Sequence, residues 1–160
     1  MQANTAQQSL QDVLTREVQC TECLLVCLEA ERSALTQRDL QALETAIQDK
    51  IQHTLQLEQL DQQRQKLVSE LGFATDADGL RLCFDNLPRA DVLKQLWQQI
   101  LTNTEACQTG NLTNGGILES GRQHIEQALR ILRGQSTAPS LYDPQGDTPA
   151  NLGQRELGKV

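Results

Sequence analysis

The chain has 160 residues and a formal net charge of -7, with 38% hydrophobic but only 2% aromatic residues. That acidity argues against nucleic acid or an anionic membrane as the main partner. No apolar run approaches the roughly 20 residues that span a bilayer, and the shortage of large side chains disfavours the thick core of a compact small-molecule enzyme.

With 26 leucines and 23 glutamines, and few β-branched or aromatic residues, the composition is that of an all-α protein. The opening residues lack the basic start and apolar core of a signal peptide. Five cysteines, an odd number, suit a reducing compartment better than a disulfide framework. The expected location is the cytoplasm.

The first helix is expected over about residues 9–35, with Leu10, Val13, Leu14, Cys20, Leu24, Cys27, Leu28 and Leu35 at three- and four-residue spacings. Ser9 is placed to cap it, with Asp12 three positions on. The second helix is expected over residues 36–71, with Thr36 as its cap, Asp39 in its first turn and Gly72 closing it. A short connection makes these two an antiparallel hairpin. Phe73 to Leu87 is less regular: Asp76-Ala-Asp-Gly79 is turn-like, and Leu80, Leu82, Phe84 and Leu87 suit a short helix or an apolar plug.

A third long helix is expected over residues 88–133, with Pro88 in its first turn. Steps of four and three give one seam: Leu93, Trp97, Ile100, Thr104, Cys107, Asn111, Asn114, Leu118, Gly121, Ile125, Ala128 and Leu132. Gly110, Gly115, Gly116 and Gly121 each cost about 1 kcal/mol relative to Ala in a helix, yet the seam keeps its phase across them, which favours one continuous helix. Amides in such a seam are costly unless paired, so they fix register or partner. Asn111 and Asn114 thus read either as an internal pair satisfied by a neighbouring helix or as hydrogen-bonding groups for a bound chain. The expected architecture is an elongated, coiled-coil-like antiparallel bundle of three long helices, forming a domain over residues 1–134. Beyond it lies a flexible tail over residues 135–160, where three of the four prolines fall.

Reaction chemistry is not nominated. Cys20-Thr-Glu-Cys23 with Cys27 falls inside a helix rather than at its N-terminus and lacks a fourth ligand, so these cysteines read as small packing residues, not a redox or metal site. His53 and His124 are isolated. No phosphate-binding loop, nucleophile motif or HExxH occurs, so the chain reads as a non-enzyme without cofactor or metal. Tyr142, the single tyrosine, is either incidental to the tail or the anchor of a docking motif.

The chain resembles the FlgN-type flagellar export chaperones. The resemblance is carried by Asp39-Leu40 through Lys50 and Arg64 in a Leu-rich hairpin, by Trp97, and by Asn111-x-x-Asn114-Gly115 with Ile117-Leu118. It continues in Ala128-Leu-x-Ile-Leu132-x-Gly134 and Leu141-Tyr142-x-x-x-Gly146. The helix-one cysteines are not part of that pattern. Such chaperones bind the C-terminal helices of the hook-filament junction proteins FlgK and FlgL in the cytoplasm, prevent their premature assembly and deliver them to the flagellar type III export gate. The resemblance implies client binding by Asn111, Asn114, Leu118, Ile125, Leu129 and Leu132, and docking on the gate protein FlhA by Leu141, Tyr142 and Gly146. Two alternatives stand beside it: a self-associating coiled-coil scaffold, and a secretion chaperone for another flagellar client.

Overall fold

The computed structural model describes residues 2–134, and among these it contains helices and no strand. They form α1 (Gln2–Gln37), α2 (Leu40–Glu70), α3 (Ala77–Asp85) and α4 (Ala90–Leu132). The chain divides into two compact units, residues 1–122 and 123–160. The proposed tail, with Leu141, Tyr142 and Gly146, lies outside the described residues.

Several expected helix ends move, each for a local reason. Ser9 does not cap α1; it sits within the helix, its hydroxyl donating to the Thr5 carbonyl at 3.1 Å. Thr36 does not cap α2 either, since its hydroxyl donates to the Arg32 carbonyl inside α1. Arg38 takes a positive φ of 58°, and the Arg38 and Asp39 amides donate back to the Leu35 and Ala34 carbonyls, a Schellman closure. This leaves Asp39 extended, and its carboxylate accepts the Ala42 amide at 3.0 Å as the true cap of α2. Gly72 closes α2 in the same way at φ 84°, as expected.

The turn-like Asp76–Gly79 segment starts α3: the Asp76 carboxylate caps the Gly79 amide at 2.8 Å. Pro88 lies before α4 rather than in its first turn, because Arg89, at φ 55°, interrupts the helical path and supplies the capping carbonyl for Val92 and Leu93.

Ion pairs fix the direction of the helices. Glu17 meets Arg64 and Glu31 meets Lys50, so α1 and α2 run oppositely. Thr21 bonds Asn103 while Leu28 and Glu31 bond Asn114, so α4 runs in the same direction as α1. The apolar core gathers where α3 joins the long helices: Leu10, Leu14, Val18, Val68, Leu80, Phe84, Leu93 and Ile100, with Trp97 packed against it.

The helix α4 is continuous through all four of its glycines, but its buried stripe is turned from the expected seam. Leu93, Ile100, Cys107 and Asn114 are shared; between them Asn103, Gly110 and Ile117 face inward while Thr104, Asn111 and Leu118 are exposed. The cause is visible at Gly110, where an added Cβ would stand 3.3 Å from Leu28 Cδ1: the missing side chain lets this flank of α4 close on α1. From Leu118 onward every described residue is exposed.

The glycines yield opposite expectations. At Gly115 and Gly116 an added Cβ meets nothing within 4 Å, so Gly115→Ala and Gly116→Ala should each raise stability, by up to about 1 kcal/mol. At Gly79 the Cβ would fall 2.2 Å from the Ala74 carbonyl oxygen, and Gly79→Ala should lower stability. Urea unfolding followed by circular dichroism checks both signs.

Candidate partner-binding surface

Two buried carboxylates on α1 organise the polar interior. Glu17 accepts the Arg64 Nε at 3.1 Å through both of its oxygens. The Arg64 guanidinium also reaches Asp61 and lies 4.6 Å over the Trp97 ring, a cation–π contact to α4. Fourteen residues further along α1, Glu31 takes the Lys50 ammonium at 2.6 Å on one oxygen and the Asn114 amide at 2.8 Å on the other. Asn114 also donates to the Leu28 carbonyl at 2.9 Å and accepts Arg32 Nε at 3.3 Å. Each brace therefore joins all three long helices. Burial raises the Glu17 pKa above the usual carboxylate range, and Arg64 only partly offsets it.

These braces were not legible beforehand. Glu17 and Arg64 look like ordinary charged helix positions, and only their 47-residue separation in sequence, closed by the hairpin, makes them a pair. The two asparagines part company. Asn114 is 4% exposed and fully engaged by α1, whereas Asn111 is exposed and lines a cleft. The other expected partner-binding residues of α4 are open: Leu118 is 62% exposed, Ile125 64%, Leu129 43% and Leu132 82%.

The cleft, of about 270 Å³, lies among Leu24 and Leu28 of α1, Lys50, Ile51, Thr54 and Leu55 of α2, and Cys107 and Asn111 of α4. Its lining is predominantly apolar, and the α1 and α2 residues were missed as surface candidates because their spacing reads as hairpin core.

The cysteines do not converge on a reactive centre. Cys20 and Cys27 are buried, Cys23 is exposed, and burial pushes the Cys20, Cys27, Cys83 and Cys107 thiols above their ordinary range, which opposes thiolate formation. Cys20 donates to the His53 carbonyl and Cys107 to that of Thr21. Among the described residues no cluster of three or more His, Cys, Asp or Glu side chains is placed to hold a metal ion, and no helix is long and apolar enough to cross a membrane.

The chain is similar to known proteins. The sequence profile of the FlgN protein family matches residues 1–150. The flagella synthesis protein FlgN of Yersinia enterocolitica serotype O:8 / biotype 1B is 30% identical over 152 residues, covering 93% of this chain and 96% of that protein. A second Yersinia enterocolitica protein of the same name matches over the same span at the same identity. Among solved structures, a Pseudomonas aeruginosa protein provisionally designated flagella synthesis protein FlgN superposes with a TM-score of 0.62 at 26% identity, over 67% of this chain and 84% of that one.

Two measurements probe the Glu17 brace. Arg64→Ala should cost about 3–5 kcal/mol by stranding a buried carboxylate, and Glu17→Met with Arg64→Met should recover most of the loss. Because folding raises the Glu17 pKa, the folded state binds more proton than the unfolded chain in the window just above the unfolded value of about 4.3. The contribution of Glu17 to stability should therefore be complete below about pH 4.3 and fall as pH rises through the folded pKa. Glu17→Gln should remove that slope in urea titrations taken from pH 4 to 7.

Proposed function

The chain belongs to the FlgN family, and from that membership we propose that it is a cytoplasmic export chaperone in flagellum synthesis. Its clients on this reading are the C-terminal helices of the hook-filament junction proteins FlgK and FlgL. It prevents their premature assembly and delivers them to the type III export gate through FlhA. The chaperone performs no catalysis and uses no cofactor.

The observation that supports this reading is the set of apolar side chains left uncovered along α4: Leu118, Ile125, Leu129 and Leu132. A monomer gains nothing by leaving such residues in water, and their repetition along one helix suits an interaction surface. An assembly-competent client helix has the complementary problem, an apolar stripe that must not meet its polymerisation partners. Laying that stripe on α4 buries both. Each Leu or Ile fully buried contributes roughly 1.5–3 kcal/mol before ordering costs. Asn111, exposed on the same helix, offers an amide to the client, while Asn114 serves by holding α4 in register. Gate docking on this reading belongs to Leu141, Tyr142 and Gly146.

Calorimetric titration with C-terminal fragments of FlgK and FlgL, and a filament-protein C-terminus as control, tests the proposal. Saturable binding of the junction fragments alone is expected, and binding of none would overturn it. Ile125→Asp and Leu129→Asp, at exposed positions, should weaken client binding at least about tenfold while leaving FlhA docking intact. Tyr142→Ala should do the reverse, and equal loss of both activities in either variant would contradict separate sites.

A further inference from the structure

The cleft in the first unit lies beside the Glu31 brace, its lining running over residues 24–28 of α1, 50–55 of α2 and 107–111 of α4, about one turn of each. Glu17 and Glu31 are 14 residues apart on α1, and so are Lys50 and Arg64 on α2, about 21 Å of helix in each case. Toward the Glu31 level the three helices leave an apolar cleft: Ile51 and Leu55 of α2, both more than half exposed, face the same space as Cys107 and Asn111 of α4 over Leu24 and Leu28.

We propose that this cleft seats one apolar turn of a partner's amphipathic helix whose apolar stripe is flanked by basic side chains. The proposal deepens the chaperone reading and rests on it, assigning the client a seat on α1 and α2 as well as on α4. The size follows from the lining, because toward the Glu17 brace the space closes: Leu60 is buried, Cys20 donates to the His53 carbonyl, and Thr21 is bonded by Asn103 and Cys107.

Charge sets the flanks. Glu44 and Glu58 stand seven residues on either side of Ile51 and so share its face of α2. The cleft's cation, Lys50, is already taken by Glu31 at 2.6 Å. Through Arg122 the chain holds 17 acidic against 10 basic residues, a formal -7. Basic flanks on an incoming helix would meet carboxylates, and acidic flanks would meet a field of their own sign. The same argument disfavours a second copy, which would bring its own Glu44 and Glu58 against these.

The test uses the full chain and two peptides of about 18 residues, with identical Leu stripes flanked by Lys in one and Glu in the other. Affinity is read by fluorescence anisotropy. Occupancy is read by maleimide labelling of Cys107, with the exposed Cys23 as internal reference. The Lys-flanked peptide should bind at least about tenfold tighter, slow Cys107 labelling at saturation and leave Cys23 unchanged. The combined substitutions Ile51→Glu and Leu55→Glu, at positions outside the core, should abolish both effects. Equal affinities for the two peptides, or unprotected Cys107 at saturation, would overturn the proposal. So would Cys107 protection that grows with protein concentration alone, which would place a second copy in the cleft. Junction-protein fragments that bind the doubly substituted chain as tightly as the original would remove the cleft and keep the chaperone reading. Fragments that bind neither form would remove that reading and the client seat with it.

Discussion

A buried charge must be paired, and the arrangement of the first unit follows from two such obligations on one helix. Glu17 and Glu31 face inward on α1, and leaving either unpaired would cost several kcal/mol. Glu17 draws Arg64 from α2, and Arg64 in turn rests on the ring of Trp97. Glu31 draws Lys50 from α2 and the Asn114 amide from α4. A slip of either neighbouring helix by one residue would break both braces. Apolar contacts alone would tolerate such a slip far better, because a leucine stripe fits a leucine stripe in several registers.

The apolar contribution is unevenly distributed. Near α3 the interior is filled by Leu, Val and Phe side chains from all four helices. Further along, small buried residues, Cys20, Cys27 and Ala34 on α1 and Ala46 on α2, are interspersed with Leu24, Leu28 and Leu60. Small residues bring α1 and α2 close together but supply little bulk to reach α4. There the contacts to α4 are the Thr21 bonds with Asn103 and Cys107, Gly110 against Leu28, and the Asn114 bonds. The helices are thus held tightly at the α3 end and by a polar tie at the other, with uncovered apolar side chains between. Such a surface lets a partner gain apolar burial without the protein having to unfold any core to admit it. Two of the α1 cysteines belong to this packing. Cys20 and Cys27 are buried, which raises their thiol pKa values, whereas Cys23, expected as a packing residue beside them, is exposed.

Much of this was legible in the residues themselves. Leucine and glutamine content, with few strand-forming residues, determined an all-helical chain; heptad spacing predicted a helix that runs through Gly110, Gly115, Gly116 and Gly121, and α4 does so. Gly72 was readable as a helix end because a positive φ favours a residue without Cβ. Membership of the family was also legible, in motifs spread across the chain. What only the tertiary structure decided was partnership and facing. Arg38 and Arg89 adopt positive φ without any local signal, so the cap of α2 fell on Asp39 instead of Thr36, and α4 began after Arg89 instead of taking Pro88 into its first turn. The two asparagines, equivalent by spacing, were separated by a rotation of α4 set by Gly110, which turned Asn114 inward and Asn111 outward. The braces required residues 47 and 83 positions apart to meet. Periodicity states which residues share a face of a helix; which neighbour that face meets, and at what register, is a non-local property fixed by packing and charge pairing.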